Sequence, residues 1–450
     1  MENANLSNLK KVLKTLFRFS WLPFASCMFL LSFDLKYDAV GVSFLVSMLI
    51  NIFIICFLQE KLPAVSLISV YYLFSLLFLC LVPWLHYSAG VYIWRPRPVD
   101  GWTYFFLNAV ISFSGFLVLV SYIFGFSRTV GFCFPRLEES PRHPKRLLLV
   151  AISSVSFFVL LYLNDFSIIQ LMFRGLVDEA RAVVVESSAL SLILGMTSRL
   201  LPVFCFLYAI TAGSFSRFLK IYLFLIMFFS VFPTGVARYL VAFAYIPVFL
   251  VLIPALRRSS VFSVLLIFSV LFFFPFLDQF RYFSGWSNLS FMPSPEFFYA
   301  AHFDAYENFA SAYESKFVTH GYQLVGALLF FVPRVFWSDK PVGSGYEMAN
   351  QLGYSFNNIS MPFLAEGYVN FGLLGVFVFS LFLGYALSRL DRNFVRSVLV
   401  ERGASFSLAV YFYLIGALFF MLRGDLLSST AFIAAGLVSA ITVKQLCKRA

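Results

Sequence analysis

The sequence predicts an all-α polytopic membrane protein with about twelve transmembrane helices. Three observations carry that prediction. Of 450 residues, 61% are hydrophobic and only 12% are charged, and the mean hydropathy is +0.87. Water-soluble domains of this size are not that apolar. Apolar runs of about 20 residues, the length that crosses a bilayer, recur along the chain. Lysine and arginine are distributed unevenly between alternate connections, as the positive-inside rule requires.

Taken in order, the apolar windows are 17–33, 40–58, 63–83, 104–126, 147–163, 189–212, 218–233, 239–256, 261–277, 368–388, 405–421 and 428–443. The first follows Lys10, Lys11, Lys14 and Arg18, like the charged start of a signal peptide. No small-residue cleavage site follows, so a retained first helix is expected. With the N-terminus inside, the inner segments carry 21 basic and 6 acidic residues, and the outer segments 11 and 16. Both termini are therefore expected in the cytoplasm, and the long segment 278–364, between spans nine and ten, on the outer side. The chain reads as one membrane domain, 1–450, with that segment as a large folded periplasmic loop. The net charge of +11 sits on membrane-flanking loops, so no nucleic-acid partner is expected. Six cysteines are spread over apolar runs and short basic segments, and none lies in the long loop, so no disulfide is expected there. No Cys/His spacing matches a metal site and no Asp-x-Asp occurs, so metal-independent chemistry without a cofactor is expected. No Walker-type loop is present, which leaves ATP-driven transport without support.

The outer segments carry the polar chemistry. Segment 84–103 holds Trp94-Arg95-Pro96-Arg97-Pro98, whose prolines predict extended, stiff backbone. Segment 164–188 holds Arg174 and Arg181 and reads as an amphipathic helix lying on the membrane. In the long loop, Ser294-Pro295-Glu296 reads as a helix start. Phe298, His302, Ala305, Phe309 and Tyr313 follow at helical spacing, and Gly321 reads as the stop. The apolar stretch 324–332 is too short to span, so a re-entrant or interfacial helix ending at Pro333 is expected.

Outer arginines are the leading candidates for contact with an anionic substrate: Arg95, Arg97, Arg174, Arg181, Arg238, Arg281, Arg334 and Arg423. Guanidinium groups grip phosphate through paired hydrogen bonds and keep their charge. Several converging near a membrane surface would suit a lipid diphosphate. The plainer role for each is anchoring to headgroups or pairing with an acid. Arg199 falls inside a span and needs a polar partner. Among the carboxylates, Glu366 stands where the long loop meets the next span. That is the position of a base which must reach a hydroxyl close to the bilayer. Asp304, Glu307, Asp339, Glu347 and Asp425 compete with it, as do His302 and His320. His302 lies on an apolar face, where a hydrogen-bonded core histidine is the simpler role.

Four stretches together resemble the bacterial oligosaccharide repeat-unit polymerases, the Wzy-type O-antigen polymerase family. They are Gly235-Val236-Ala237-Arg238, the run from Pro333-Arg334 through Trp337 to Lys340-Pro341, Glu366-Gly367-Tyr368-Val369-Asn370-Phe371-Gly372, and Leu422-Arg423-Gly424-Asp425-Leu426. The resemblance covers the layout of nearly the whole chain, and its motifs fall mainly in 230–430. One family spacing, Arg followed after ten residues by Gly, occurs at Arg334 and Gly345. A second copy is found only at Arg392 and Gly403, on the expected inner side, so a scheme needing two outer loops does not carry over.

The resemblance implies a GT-C-like architecture in the bacterial inner membrane with the active site facing the periplasm. It implies a glycosyltransferase that joins undecaprenyl-diphosphate-linked oligosaccharides into surface polysaccharide, with membrane lipids around it and a chain-length regulator as partner. Carried onto this sequence, the expected roles are Glu366, Arg334 and Arg281 in catalysis, with Arg238, Arg334, Lys340, Arg423 and Arg181 binding diphosphate. Trp337, Tyr368 and His302 would contact glycan. An O-antigen ligase shares the plan and the donor but relies on a histidine late in the large loop, where only His320 is available. A flippase would show two related halves and several charges within spans, and neither is found.

Overall fold

The computed structural model describes residues 22–23, 25–26, 33–127, 145–173, 189–282, 295–400 and 405–448. These residues are overwhelmingly helical, and no strand forms among them beyond an isolated bridge between Ala64 and Arg258. Eight helices are long and apolar enough to cross a membrane. In our numbering they are α1 (Ala39–Lys61), α2 (Leu67–Ala89), α3 (Gly101–Ser127), α4 (Arg146–Leu163), α5 (Ala189–Thr211), α12 (Phe363–Val400), α13 (Phe406–Arg423) and α14 (Leu426–Lys448). Three more expected windows hold shorter helices: α6 (Arg217–Ser230), α7 (Arg238–Leu252) and α8 (Ser259–Phe268). The window 17–33 lies mostly outside the described residues. α7 stops early because Pro254 opens a 3-10 turn, Pro254–Arg257. α8 continues through a π turn, Ser269–Phe273, to a last helical turn ending at Asp278.

α2 is the centre, with its whole apolar window buried. α1, α12 and α13 pack around it, and α3 lies along α12. A second group is built on α5, which packs against α4, α6 and α14. Small residues let the helices close up where apolar lipid supplies no contrast to drive them together. A Cβ on Gly416 of α13 would stand 2.8 Å from Ala242 O of α7, and one on Gly384 of α12 would stand 3.0 Å from Val118 Cα of α3. Buried polar side chains then tie neighbours, as in Tyr72 Oη donating to Gly115 O at 2.7 Å. Arg199, half-buried within α5, finds a polar partner: Nη1 donates at 3.0 Å to Ser230 O, a carbonyl at the end of α6.

The long segment is folded, with α9 (Ala305–Glu314), α10 (Tyr322–Leu328) and α11 (Ser344–Leu352). The expected helix from Ser294 to Gly321 is corrected at both ends. Residues Pro295–Tyr299 and Ala301–Phe303 are 3-10 turns, and the α-helix begins only at Ala305. The carbonyls of Ala301 and His302, which a longer helix would use internally, accept instead from Arg423 at 2.9 and 2.8 Å. At the other end Lys316 takes φ 53°, and Phe317 N bonds back to Ala312 O at 3.0 Å. This is a Schellman stop with lysine where glycine is usual. Gly321, at φ 88°, starts α10 rather than ending α9.

α12 is two helices. Phe371 (φ −144°, ψ 24°) and Gly372 (φ 62°, ψ −152°) break it, and the left-handed φ at 372 suits glycine. The short first piece, from Phe363, folds close onto the start of the second: a Cβ on Gly367 would lie 2.8 Å from Gly375 O. The motif residues 366–370 therefore stand on a separate turn above the long helix.

Candidate functional site

Arginines from two helix ends meet at the 3-10 segment before α9. Arg423, the last residue of α13, donates from Nε to His302 O (2.8 Å). Its Nη2 donates to Ala301 O (2.9 Å) and to Asp304 Oδ1 (3.1 Å). Its side chain keeps 31% exposure, whereas that of Asp304 has 2%. Arg238, the first residue of α7, donates through Nη2 to His302 Nδ1 at 2.8 Å. A guanidinium can only donate, so the facing imidazole nitrogen holds a lone pair. Asp304 is saturated: Oδ1 also accepts from Ser360 Oγ (2.6 Å), and Oδ2 from Trp94 Nε1 (2.9 Å) and Ser360 N (3.3 Å).

Two residues beyond Arg423, Asp425 caps α14. Its Oδ1 accepts from Ser428 N at 2.9 Å, and burial pushes its carboxyl above the usual range. Glu366, with 1% exposure, reaches the same helix start. Its Oε1 accepts from Leu426 N at 2.8 Å and from Ser344 Oγ at the head of α11. Its Oε2 is buried and has no hydrogen-bond partner among the described residues. Arg423 and Leu426 are three positions apart in the chain, at most about 11 Å. The Arg423 fork and the unpaired Glu366 oxygen thus belong to one small region at the end of the bundle. The Gly343–Ser344 corner closes it, since a Cβ at Gly343 would stand 3.0 Å from Asp425 Oδ1. The rest of the 366–372 motif is structural: Asn370 accepts from Leu324 N at 2.7 Å and donates to Glu366 O at 2.9 Å. Thr319 N donates to Val369 O at 2.7 Å.

The 333–341 run forms its own stapled loop. Arg334 donates from Nη1 to Lys340 O (2.7 Å) and from Nη2 to Pro341 O (3.3 Å). Lys340 Nζ donates to Phe330 O (2.5 Å) and Val332 O (2.9 Å). Burial, then the neighbouring Arg334 charge, draw the Lys340 ammonium below the ordinary lysine range. Two of the five guanidinium donors of Arg334 are used in this way, and the side chain is exposed. Trp337 sets its ring edge-on to Tyr322, centroids 6.1 Å apart.

The remaining candidates take other roles. Glu307 accepts from the backbone N–H groups of Ile93 (2.7 Å), Trp94 (2.8 Å) and Arg95 (3.1 Å). Burial still leaves its carboxyl raised. Arg95 pairs with Glu314. The acids of α9 therefore clamp the proline-rich loop onto the fold, and the plainer reading of Arg95 holds. Glu347 accepts from Gln323, and Asp339 offers its backbone carbonyl to Tyr322. Tyr368 is 7% exposed and packs against Phe309 and Tyr313, which leaves little ring face for a glycan. Arg281 lies in the 3-10 turn Gln279–Tyr282, and only its backbone is described. Arg174 and Arg181 lie outside the described residues. Of the expected site residues, the fold gathers Arg238, His302, Arg423 and Glu366 at one end of the bundle, and holds Arg334, Trp337 and Lys340 on an adjoining loop.

Sequence reasoning missed Ser344 and Ser360, and the bond of Trp94 to Asp304. Ser344 follows Gly343 at a helix head, a weak signal; Trp94 stands in the proline-rich motif, which does not reveal its partner, and nothing local marks Ser360. The site joins a polar, arginine-bearing surface to a buried carboxylate with one oxygen unpaired among the described residues, an arrangement able to hold an anion and take a proton. No protein-family model, no curated protein and no solved structure matches the chain.

Proposed function

We propose that the protein is a membrane glycosyltransferase that polymerises undecaprenyl-diphosphate-linked oligosaccharide repeat units on the periplasmic face of the bacterial inner membrane. One observation carries this reading. Arg238, Arg423 and Glu366 come from three separate helices, yet they stand together at one end of an apolar bundle. The motif resemblance in the same three stretches supports it.

In the proposed reaction a hydroxyl oxygen of one repeat unit bonds to the anomeric carbon of the lipid-linked chain. The bond from that carbon to the diphosphate oxygen breaks, and the electron pair leaves with undecaprenyl diphosphate. The hydroxyl proton passes to Oε2 of Glu366, the oxygen without a hydrogen-bond partner among the described residues, once binding brings the hydroxyl to it. Arg423, through its Nη1 and its part-exposed face, offsets charge growing on the leaving diphosphate; such a donor is worth about 3–4 kcal/mol. Arg238 holds His302 in place beside it. The bond to diphosphate already carries the driving force, so no nucleotide is required. A chain-length regulator would act on this enzyme rather than supply its chemistry.

The test is the glycan profile, on a gel, of a strain lacking the gene, complemented with wild-type or Glu366→Gln copies. A long ladder that collapses to core plus a single repeat unit and returns only with wild type is the expected result. Loss of the single-repeat band as well would point to a flippase or a ligase, and an unchanged ladder would overturn the reading.

A further inference from the structure

The chain from Ser315 to Tyr322 and the outer face of α11 enclose an open groove of about 440 Å³. We propose that this groove binds the sugar chain of an oligosaccharide. The inference rests on the proposed function only in taking that oligosaccharide to be the repeat unit.

The walls are of mixed polarity with balanced charge. Lys316 supplies a cation and Glu347 an anion, while Ser315, Thr319 and Gln351 add hydroxyl and amide groups and Tyr322 adds a ring. A bare diphosphate would meet one lysine and a facing carboxylate, which is poor recognition for an anion. An acyl chain would meet polar walls. A glycan matches all of it, because its hydroxyls both donate and accept and its ring faces lie flat on aromatic rings. Tyr322, with 41% exposure, offers such a ring, and Trp337 braces it edge-on.

The chain segment that borders the groove is built at a cost. Lys316 (φ 53°), His320 (φ 51°) and Gly321 (φ 88°) all take left-handed backbone within six residues. For lysine and histidine that conformation is uncommon and needs support from its surroundings. The support is visible: Phe317 N bonds to Ala312 O (3.0 Å), Thr319 N and Oγ1 both bond to Val369 O (2.7 and 3.0 Å), and Tyr322 N bonds to Thr319 O (3.1 Å). Held strain of this kind concentrates where a surface must keep a set shape.

The groove also adjoins the carboxylate centre. α11 carries Glu347 and Gln351 on the groove and Ser344, which bonds Glu366, at its head. Seven residues of helix, about 10 Å, separate Gln351 from Ser344. A sugar chain lying along α11 would therefore run toward the helix head where Ser344 bonds Glu366, as an acceptor must.

The experiment uses the full chain in lipid nanodiscs and saturation-transfer NMR. The probe is the repeat-unit oligosaccharide freed from its lipid diphosphate by mild acid. Wild type is expected to transfer saturation to the sugar ring protons. Gln351→Ala and Lys316→Asn, which keeps a residue tolerant of positive φ, are expected to weaken binding at least tenfold. Leu147→Ser, at an exposed position on α4 outside the groove, should leave binding unchanged. No transfer with wild type, equal binding by Gln351→Ala, or displacement of the oligosaccharide by inorganic diphosphate would each overturn the groove. These results are independent of the ladder. Binding that needs Gln351 supports the groove even if the ladder is unchanged, and a collapsed ladder without binding rejects the groove alone.

Discussion

Two buried carboxylates on the same helix make an instructive pair. Asp391 and Glu366 lie toward opposite ends of α12 and both cap the start of a neighbouring helix. From Leu373 to Asp391 the helix is about 27 Å long, close to the thickness of a bilayer core. Asp391 is saturated. Oδ1 accepts from Leu67 N (2.9 Å) and Tyr411 Oη (2.7 Å), and Oδ2 from Ile68 N (3.2 Å) and Tyr122 Oη (3.0 Å). Glu366 receives both of its donors on Oε1 and leaves Oε2 bare. The arginines follow the same division. Near Asp391, Arg257 is 1% exposed and spends Nε and Nη2 on Leu250 O (2.7 Å) and Val251 O (3.0 Å), closing the end of α7. Near Glu366, Arg423 is also held by carbonyls but keeps a face open. A buried charge with every lone pair satisfied locks a fold, whereas one left incomplete is costly to keep and so points to use.

The largest effect should come from breaking the locked end. Asp391→Ala would strand two backbone N–H groups and two tyrosine hydroxyls, each costing about 1–3 kcal/mol. Against a total stability of about 5–15 kcal/mol, the protein should fail to accumulate in membranes, as an immunoblot of fractionated cells would read. Normal abundance would mean that Asp391 is not the lock described here. The open end should behave in the opposite way. Glu366→Gln keeps an acceptor at the Oε1 position, so abundance and Tm in detergent should stay near wild type. Polymer formation should fall about 100-fold or more, as expected when a general base is removed. A Glu366→Gln protein that disappears like Asp391→Ala would place both carboxylates in the same structural class and remove the contrast.

Arg423→Lys sharpens the comparison from the cationic side. A single ammonium cannot reproduce the fork that spans two carbonyls and Asp304. Its loss should free the 301–303 turns, lower Tm by a few degrees and cut polymer output roughly tenfold. Arg257→Lys, at the locked end, should lower abundance without a selective effect on ladder length.

How much of this could be read from the sequence depended on the physics involved. Hydropathy found the helices because apolar length is a local property, and eleven of the twelve windows hold helices in the described residues. Eight of these helices are long and apolar enough to cross a membrane; α7 and α8 are shorter than their windows because Pro254 and the π turn after α8 are decided by packing. The break at Phe371–Gly372 was invisible, since Gly372 reads like any helix glycine until its φ is known. Arg389, Asp391 and Arg392 read as a charged cytoplasmic connection, but α12 runs through them to Val400, and Asp391 turns inward to cap α2. A solvated charge and a buried cap look alike in one dimension. In the site, Arg238, Arg423 and Glu366 were legible because charges beside membrane spans are rare. Ser344, Ser360 and the partner of Trp94 were not, because their importance comes from contacts with residues far away in the chain.

The smallest effect should come from the stapled loop, although its motif was the most conspicuous in the sequence. Arg334 and Lys340 spend their hydrogen bonds on carbonyls of their own loop. Arg334→Ala removes two of these at about 0.5–1.5 kcal/mol each, with water able to replace part of the loss at an exposed site. Membrane abundance should be unchanged. The ladder should shorten rather than vanish, because Trp337 would lose its fixed approach to Tyr322 while the Glu366 centre stays intact. If Arg334→Ala instead abolishes the ladder as fully as Glu366→Gln, its guanidinium must leave the staple and touch substrate. The division between the proposed catalytic end of α12 and a positioning loop beside it would then have to be redrawn to include both.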